Sequence, residues 1–195
     1  MLPVGRAEDA RRMDRAAIKK GTPSLLLMEN AAFSLFLAVN ELLSSFRPDR
    51  IVVFAGKGGN GGDGMAFLRI LADRGCPIPL MLVPFFDPSD LSGDTLANYR
   101  MLPRSVTRMK NYRQLNGRIL FVDALLGTGL SSSLDLEILH AVDFINEYKA
   151  KRVVSVDVPT GLSSDTGAMF PRAVHADMTI SFGILKRGLF LDQGP

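Results

Sequence analysis

The stretch from Ile51 to Leu71, IVVFAGKGGNGGDGMAFLRIL, is the feature that most limits what this chain can fold into. Its first four residues are β-branched or aromatic, which is typical of a strand buried on both faces of a parallel sheet. Six glycines follow between positions 56 and 64, and a helix-periodic apolar segment begins at Met65. The order strand, glycine loop, helix predicts a site where backbone N–H groups and the positive end of a helix face an anion, most simply a phosphate.

Two polar residues, Asn60 and Asp63, set this glycine loop apart from ordinary phosphate loops. The loop lacks the Gly-Lys-Ser/Thr ending of a P-loop, and its match to G-x-G-x-x-G at Gly56, Gly58 and Gly61 is weak evidence alone. A loop that only holds a pyrophosphate has no use for a carboxylate, so the two residues indicate a metal ion or a ribose hydroxyl as an additional guest. The alternative is a turn in which both side chains satisfy their own backbone.

The rest of the chain alternates strand and helix patterns. Strands are predicted at residues 51–54, 79–86, 118–126, 152–158 and 176–182, and helices at 6–20, from 23 to about 46, from 65 onward, around 95–101 and at 136–145. This alternation predicts an α/β fold with a mostly parallel, doubly wound sheet. At 195 residues the chain has the length of one such domain.

Several chemically active side chains follow the predicted strands at their carboxyl ends. Asp123 and Asp157 each end an apolar strand, Thr160 follows the second of them, and Lys186 follows the last strand. The carboxyl ends of parallel strands meet at one edge of an open sheet, so these residues are expected to share a pocket with the glycine loop. Carboxylates combined with neutral oxygens favour a hard cation, with Mg²⁺, Ca²⁺ and a monovalent ion all open. The alternative is that each aspartate only caps the following segment.

Composition argues against several other classes of function. The net charge is +3, and the basic cluster within residues 11–20 is interpreted as a solvated helix face, so no nucleic-acid partner is expected. A single cysteine, Cys76, excludes a disulfide framework within the chain and fits a reducing compartment. The histidines, His140 and His175, are far apart in sequence, which argues against a zinc site.

The segment from Pro23 to about Phe46 is apolar nearly all round. It is expected to be largely buried, against the sheet and in a homodimer interface. No segment is expected to have the roughly 18 to 20 apolar residues that cross a bilayer, and the first eight residues lack a signal-peptide core, so a cytoplasmic protein is predicted. Glu29 and Asn30 interrupt the apolar surface, either as solvent-edge residues or as site residues that reach toward the glycine loop.

Five stretches, in order from residue 13 to residue 189, carry a resemblance to a known family. They are 13–21 with LMENA at 27–31, AGKGGNGGDG at 55–64, VDALLGTGL at 122–130, VDVPTGL at 156–162 with DTG at 165–167, and FG at 182–183 with KRGL at 186–189. In sequence and order the chain resembles the NAD(P)H-hydrate epimerase family, also called the YjeF N-terminal domain. The resemblance covers nearly the whole chain.

The resemblance implies a Rossmann-like three-layer α/β/α sandwich and an isomerase that interconverts the R and S epimers of hydrated NADH and NADPH. Its functional partner would be an NAD(P)H-hydrate dehydratase. By residue-to-residue match, the hydrate would be bound by Gly59, Asn60, Gly61, Gly62, Asp63, Gly127, Thr128, Gly129, Leu130, Ser131, Ser132, Ser133 and Asp157. A potassium ion would be held by Asn60, Asp123 and Thr160.

The chain departs from the family pattern at three points. Gly59 stands where the family usually has an asparagine, and Thr160 replaces a usual serine while keeping the hydroxyl. The chain stops at residue 195, short of a last strand that the family normally has. The expectation is therefore a single epimerase-type domain over residues 1–195 that lacks the family's last strand and carries no dehydratase domain. Whether the chain is part of a longer protein is left open by the sequence.

The substrate chemistry leaves two routes open. The reacting carbon is a carbinolamine, so inversion can proceed by ring opening to an aldehyde or by loss and return of water. Either route needs an acid/base group within hydrogen-bond reach and a charge that steadies the intermediate. Asp123 is the first candidate for that group and Lys186 the second. A different class of function, a non-catalytic nucleotide-, protein- or RNA-binding module on the same fold, remains the alternative, and a kinase is less favoured because no phosphate-binding lysine follows the glycine loop.

Overall fold

The computed structural model describes residues 3–129 and 134–194. Within these ranges the chain forms five α-helices and two β-sheets. The elements in chain order are β1 Val4–Gly5, α1 Ala7–Lys19, α2 Ser24–Ser45, β2 Arg50–Ala55, α3 Gly59–Asp73, β3 Leu80–Pro84, α4 Gly93–Met101, β4 Thr107–Arg108, β5 Ile119–Ala124, α5 Leu136–Glu147, β6 Lys151–Val156, β7 Met178–Ile180 and β8 Leu185–Lys186.

The main sheet has the order β4-β3-β2-β5-β6-β7, and all of its neighbouring strands run parallel. The chain moves outward from β2 through β3 to β4, and then crosses to the other side of β2 and moves outward again from β5 to β7. The strand order therefore reverses between β2 and β5, and in an open α/β sheet the ligand crevice lies at this point, outside the carboxyl ends of the strands. The predicted α/β fold with a mostly parallel sheet is confirmed.

The sheet separates two apolar cores, which makes the structure three layers deep. Ile51 and Val53 of β2 face the core that includes α2, α3 and α4, whereas Val52 and Phe54 face the core that includes α5. Successive side chains of a strand point to opposite faces, so a strand that is covered on both faces must be apolar throughout. This explains the unbroken apolar runs of the central strands.

The helix after the glycine loop starts six residues earlier than its sequence pattern predicts. The apolar periodicity predicts a start near Met65, but α3 begins at Gly59, so most of the expected loop is helical. The glycines allow its first turns to touch the sheet and its loops. A Cβ on Gly61 would lie 1.8 Å from the Gly56 carbonyl oxygen, and a Cβ on Gly64 would lie 2.7 Å from the Ala124 side chain. The glycines thus serve close packing of a helix as well as access to a ligand.

Only part of α2 is buried within this chain. Ala32, Leu35 and Val39 are fully buried against the core, whereas Leu26 and Leu37 are 48% and 54% exposed. The sequence pattern indicates no segment apolar enough to cross a membrane, but α2, with 22 residues and a window of mean hydropathy 1.4, meets that criterion by length and composition alone. A core helix of a soluble protein passes the same test, and α2 packs against α3 beside the sheet.

A small second sheet places the N-terminal segment near the carboxyl ends of the main strands. In it, β1 pairs in parallel with β8, with Gly5 opposite Lys186. The backbone N–H of Ala7 also donates to the Asp165 carboxylate at 2.8 Å. These contacts hold α1 beside Lys186. Sequence pattern does not predict this pairing, because strands of two residues carry no readable periodicity.

Candidate active site

A cavity of about 790 Å³ opens where the strand order reverses. Its lining residues come from α1, α2, the start of α3, the segment after β5, and the region from the end of β6 to β8. They are Ala10, Arg11, Met13, Asp14, Ala17, Ile18, Ser24, Leu27, Met28, Ala31, Lys57, Gly58, Gly59, Asn60, Asp63, Leu125, Leu126, Gly127, Thr128, Gly129, Asp157, Phe182, Gly183 and Lys186. The volume lies within the usual range for small-molecule sites.

The amino end of α3 forms one wall of this cavity. Gly58 precedes the helix, and the first N–H that bonds back within this turn is that of Gly62, to the Gly58 carbonyl at 3.1 Å. The N–H groups of Gly59 and Asn60 belong to the first turn, which has no intrahelical acceptors. Lys57 is exposed on the same wall. Free N–H groups, the helix dipole and a lysine together favour a negatively charged ligand.

A buried ion pair lies on the opposite wall. The Lys186 ammonium pairs with the Asp157 carboxylate and also donates to the Phe182 carbonyl at 2.8 Å. The Lys186 side chain is 2% exposed and that of Asp157 is 15% exposed. Asp157 has a positive φ of 66°, a conformation that a non-glycine residue holds only when its surroundings impose it. The backbone at the end of β6 is therefore set to aim this carboxylate at Lys186.

Asp63 lies on the cavity wall, half-buried in the second turn of α3. Burial raises the pKa of Asp63 well above its ordinary value, and the nearby carboxylates of Asp157 and Asp14 raise it further. Lys186 acts in the opposite direction but does not cancel these effects. A carboxyl group in such surroundings retains its proton to higher pH than an exposed aspartate.

Asp123 lies behind the cavity wall and is fully buried. One carboxylate oxygen accepts from the Thr160 hydroxyl at 2.6 Å and the Leu125 N–H at 3.3 Å. The other oxygen accepts from the Ser155 hydroxyl at 2.9 Å and the Thr160 N–H at 2.8 Å. Burial raises the pKa of Asp123, and these hydrogen bonds oppose the rise. The structure therefore separates Asp123 from the second sequence candidate, Lys186, which does line the cavity.

Asn60 lines the cavity and also packs against the segment that follows Asp123. Its side chain packs against Gly127, where an added Cβ would lie 3.3 Å from the amide. Gly127 directly follows Leu126, whose carbonyl lies 3.2 Å from the Thr160 hydroxyl. The Asn60 amide nitrogen is buried and has no hydrogen-bond partner among the described residues. An unsatisfied buried amide is rare in folded proteins and requires an explanation, such as an amide turned so that its oxygen, and not its nitrogen, faces a bound cation.

The remaining site residues predicted from the sequence fall into three groups. Gly127, Thr128 and Gly129 line the cavity after β5. Gly61 and Gly62 are buried and are absent from the lining, and a Cβ on Gly62 would lie 2.6 Å from the Met28 side chain. Leu130, Ser131, Ser132 and Ser133 lie outside the described residues.

Helix α1 contributes to the cavity in a way that the sequence pattern does not predict. Arg11 and Asp14 line the cavity, although the basic cluster in this region indicates a solvated face. The apolar residues Met13 and Ile18 also line it, on a helix that is otherwise polar. This apolar stripe is the sequence feature that could have indicated that α1 covers a cavity. By contrast, Glu29 pairs with Arg69 of α3 and does not line the cavity, so its interpretation as a site residue is wrong.

Comparison with known proteins agrees with this architecture. A family model described as "YjeF-related protein N-terminus" matches residues 24–188. An NAD(P)H-hydrate epimerase of Levilactobacillus brevis is 38% identical, over 95% of this chain and 85% of that protein. A second, from Oenococcus oeni, is 35% identical over 96% of this chain and 89% of its own length. A bifunctional NAD(P)H-hydrate repair enzyme of Salinibacter ruber is 34% identical, but the chain spans only 38% of it.

A solved structure has the same fold. The crystal structure of the yeast protein ynu0 matches 98% of this chain and 85% of its own chain with a TM-score of 0.81. The two sequences are 22% identical.

Proposed function

The chain belongs to the family of YjeF-related protein N-termini, and from that premise we propose that it is an NAD(P)H-hydrate epimerase, an isomerase that interconverts the R and S epimers of hydrated NADH and NADPH. The main support for this proposal is the cavity at the reversal of strand order. It is lined both by the amino end of α3, which can bind an anion, and by the carboxyl groups of Asp63 and Asp157. The named epimerases among its relatives support the same activity.

The two walls of the cavity suit the two parts of such a substrate. The first N–H groups of α3 and the Lys57 side chain provide positive potential for the phosphates of a dinucleotide. Elsewhere on the lining, Met13, Leu27 and Met28 present apolar surface on which a base or nicotinamide ring can pack. Asp157 also lines the cavity, and its carboxylate can accept hydrogen bonds from sugar hydroxyls.

The activity is tested with hydrate enriched in one epimer. Wild-type protein should speed the return to the equilibrium mixture of epimers, followed by chromatography that separates them. The amount of hydrate should stay constant, with no hydrolysis and no redox change. If the epimer ratio drifts only at its spontaneous rate, the catalytic function is rejected. Thermal-shift measurements with nucleotides and RNA would then test the binding-module alternative.

The proposal includes a potassium ion held by Asn60, Asp123 and Thr160. Three features support it. Asp123 is a buried carboxylate with no cationic side chain paired to it among the described residues. The Thr160 hydroxyl bonds to that carboxylate, and the Asn60 amide lacks a partner within the same part of the chain. Because amide oxygen and nitrogen are assigned only from their partners, Asn60 can present its oxygen in the same place. One carboxylate with neutral oxygens balances a single positive charge. The ion would supply a fixed positive charge behind the cavity wall, next to Asp123.

Potassium is expected to stabilise the folded protein. At about 100 times its dissociation constant, a ligand that binds only the folded state adds about 2.7 kcal/mol. For a domain of this size that raises the Tm by about 5 to 10 °C relative to choline at equal ionic strength. Thr160→Val should lose most of this rise, whereas Thr160→Ser, which keeps the hydroxyl, should retain it. Equal melting temperatures of the wild type in potassium and choline would contradict the site.

The exposed side of α2 is proposed to form a homodimer interface. Leu26, Phe33 and Leu37 are 48%, 39% and 54% exposed. They are spaced seven and four residues apart, so they lie on one face of the helix. A dimer about a twofold axis would cover the same stripe on both copies.

Sedimentation velocity tests this interface. The wild type should sediment as a dimer, and Leu37→Lys should shift it toward the monomer because association would bury an unpaired lysine charge. The control is Leu136→Lys on α5, where a leucine that is 73% exposed is replaced in the same way. A monomeric wild type, or equal behaviour of both variants, would contradict the interface.

Two further features belong to the same proposal. The functional partner is an NAD(P)H-hydrate dehydratase, because relatives such as the Salinibacter ruber protein are named bifunctional repair enzymes of which this chain matches only part. The compartment is the cytoplasm, which suits a chain whose single cysteine, Cys76, is a free thiol.

A further inference from the structure

The reaction needs a proton-transfer group that faces the substrate. The charged groups of the site differ in whether they face the cavity and in whether they are already paired with other groups. Asp123 lies behind the cavity wall with four hydrogen-bond donors on its two oxygens. Asp157 and Lys186 are paired with each other. Asp63 lines the cavity, and within the described residues its carboxyl group takes part in none of the hydrogen bonds or ion pairs of the site.

We propose that Asp63 is the general acid of the epimerisation, which protonates the departing hydroxyl of the hydrated nicotinamide ring. This inference rests on the proposed epimerase function and assigns the acid within it. Asp63 is placed by the second turn of α3, on the same helix whose amino end faces the substrate's phosphates. A side chain on a rigid helix holds its position better than one on a loop, which a proton transfer over hydrogen-bond distance requires.

The surroundings of Asp63 favour the protonated form of its carboxyl group. Its pKa is raised chiefly by burial, and also by the carboxylates of Asp157 and Asp14. Lys186 is the cation that opposes the rise. Arg11 and Lys57 are the other charged groups of the cavity wall in the described part of the chain. Burial next to like charges is the usual way in which an enzyme keeps a carboxyl group protonated near neutral pH.

The step conserves atoms and charge. The Asp63 carboxyl group gives its proton to the hydroxyl on the carbinolamine carbon, and the carbon–oxygen bond breaks with loss of water. The lone pair of the ring nitrogen forms the carbon–nitrogen double bond, which leaves an iminium cation facing the Asp63 carboxylate. Water then adds to the opposite face of the ring, and the proton it releases returns through solvent to Asp63. The product is the other epimer, with no net gain or loss of water.

The first test compares three variants in the epimerisation assay. Asp63→Asn keeps the size of the side chain but cannot donate the carboxyl proton, so kcat should fall about 10²- to 10⁴-fold with KM changed by less than about threefold. Asp63→Glu retains a carboxylic acid and should recover part of this loss. Asp73→Asn, the same substitution at the far end of α3, away from the cavity, should leave kcat unchanged.

The outcomes separate this inference from the proposed function. An active wild type with an equally active Asp63→Asn overturns the role of Asp63 and leaves the epimerase function intact, whereas an inactive wild type rejects the function itself. A variant with a raised KM and an unchanged kcat would make Asp63 only a binding residue, which also overturns the proposal. Melting curves of Asp63→Asn and Asp63→Glu show whether each variant is folded, and a folded Asp63→Glu as inactive as Asp63→Asn counts against the acid role.

The second test follows the oxygen atom. Loss and return of water predicts that each inversion in water labelled with ¹⁸O places one solvent oxygen on the carbinolamine carbon. Mass spectrometry of the hydrate at early times gives the number of labelled oxygens incorporated per inversion, after correction for spontaneous exchange. Inversion with full retention of the original oxygen would overturn the assigned proton transfer to the hydroxyl and favour ring opening.

Discussion

Lys186→Met is expected to lower the free energy of unfolding by about 3 to 5 kcal/mol and to abolish most epimerase activity. The substitution leaves the Asp157 carboxylate without its cation in a place where it is only 15% exposed. Removing one partner of a buried ion pair is costly because the remaining charge stays desolvated. Urea denaturation measures the change in stability, and the epimerisation assay measures the change in activity.

A double variant separates stability from function. Adding Asp157→Asn to Lys186→Met removes the unpaired charge, and asparagine also tolerates the positive φ of 66° found at this position. Most of the lost stability should return, while activity should not, because both polar groups that face the substrate have been replaced. The control is Arg12→Met, which breaks a surface pair with Asp9 at 3.0 Å and should cost at most about 1 kcal/mol. If Lys186→Met costs no more than this control, the ion pair does not stabilise the site.

Gly61→Ala is expected to have the largest effect of any change in the glycine segment. The added Cβ would lie 1.8 Å from the Gly56 carbonyl oxygen. Neither atom can rotate away as the end of a flexible side chain could, because one is a backbone oxygen and the other is attached directly to the backbone. The start of α3 would have to move away from the end of β2. Overpacking typically costs about 1 to 3 kcal/mol, and a contact this short with backbone is expected at the upper end of that range. A loss of about 3 kcal/mol lowers the Tm of a domain of this size by about 6 to 12 °C.

Gly59→Ala is the matched control two residues earlier in the same helix. In the part of the chain that the structure describes, a Cβ at Gly59 meets no atom within 4 Å. Alanine also favours helix over glycine by up to about 1 kcal/mol, so this variant should melt at the same temperature as the wild type or slightly above it. Differential scanning calorimetry on both variants tests the pair. Similar melting temperatures would show that close packing at Gly61 is not what the glycine provides.

Gly59 is the position at which the family resemblance implies an asparagine. An asparagine at this position would supply an amide, whereas Gly59 supplies only backbone to the cavity wall. The structure has space for a larger side chain there, because nothing surrounds the position of a Cβ among the described residues. The glycine is therefore not required by packing, in contrast to Gly61.

Local sequence pattern determined the sheet and the edge at which the site lies. The short β-branched and aromatic runs of β2 and β5 indicate strands covered on both faces, because such a strand removes every side chain of the run from water. Asp123 and Asp157 could be placed near the carboxyl ends of their strands, because a carboxylate interrupts each apolar run, but the sequence did not show that burial continues past Asp123 to Leu125. The parallel alternation of strands and helices then brought these ends to one edge.

The tertiary structure decided which of these groups face the substrate. Asp123 and Asp63 look equivalent as carboxylates near a glycine segment, but Asp123 is enclosed by Ser155 and Thr160, and Asp63 lines the cavity. The pairing of Lys186 with Asp157, and the position of α1 across the cavity, depend on contacts between segments far apart in the chain. The packing of helices on the sheet sets such contacts, and no periodicity within one segment records them. For that reason the sequence alone determined the fold and the edge of the sheet that carries the site, and only the folded chain assigned Asp63 to the cavity and Asp123 to the layer beneath it.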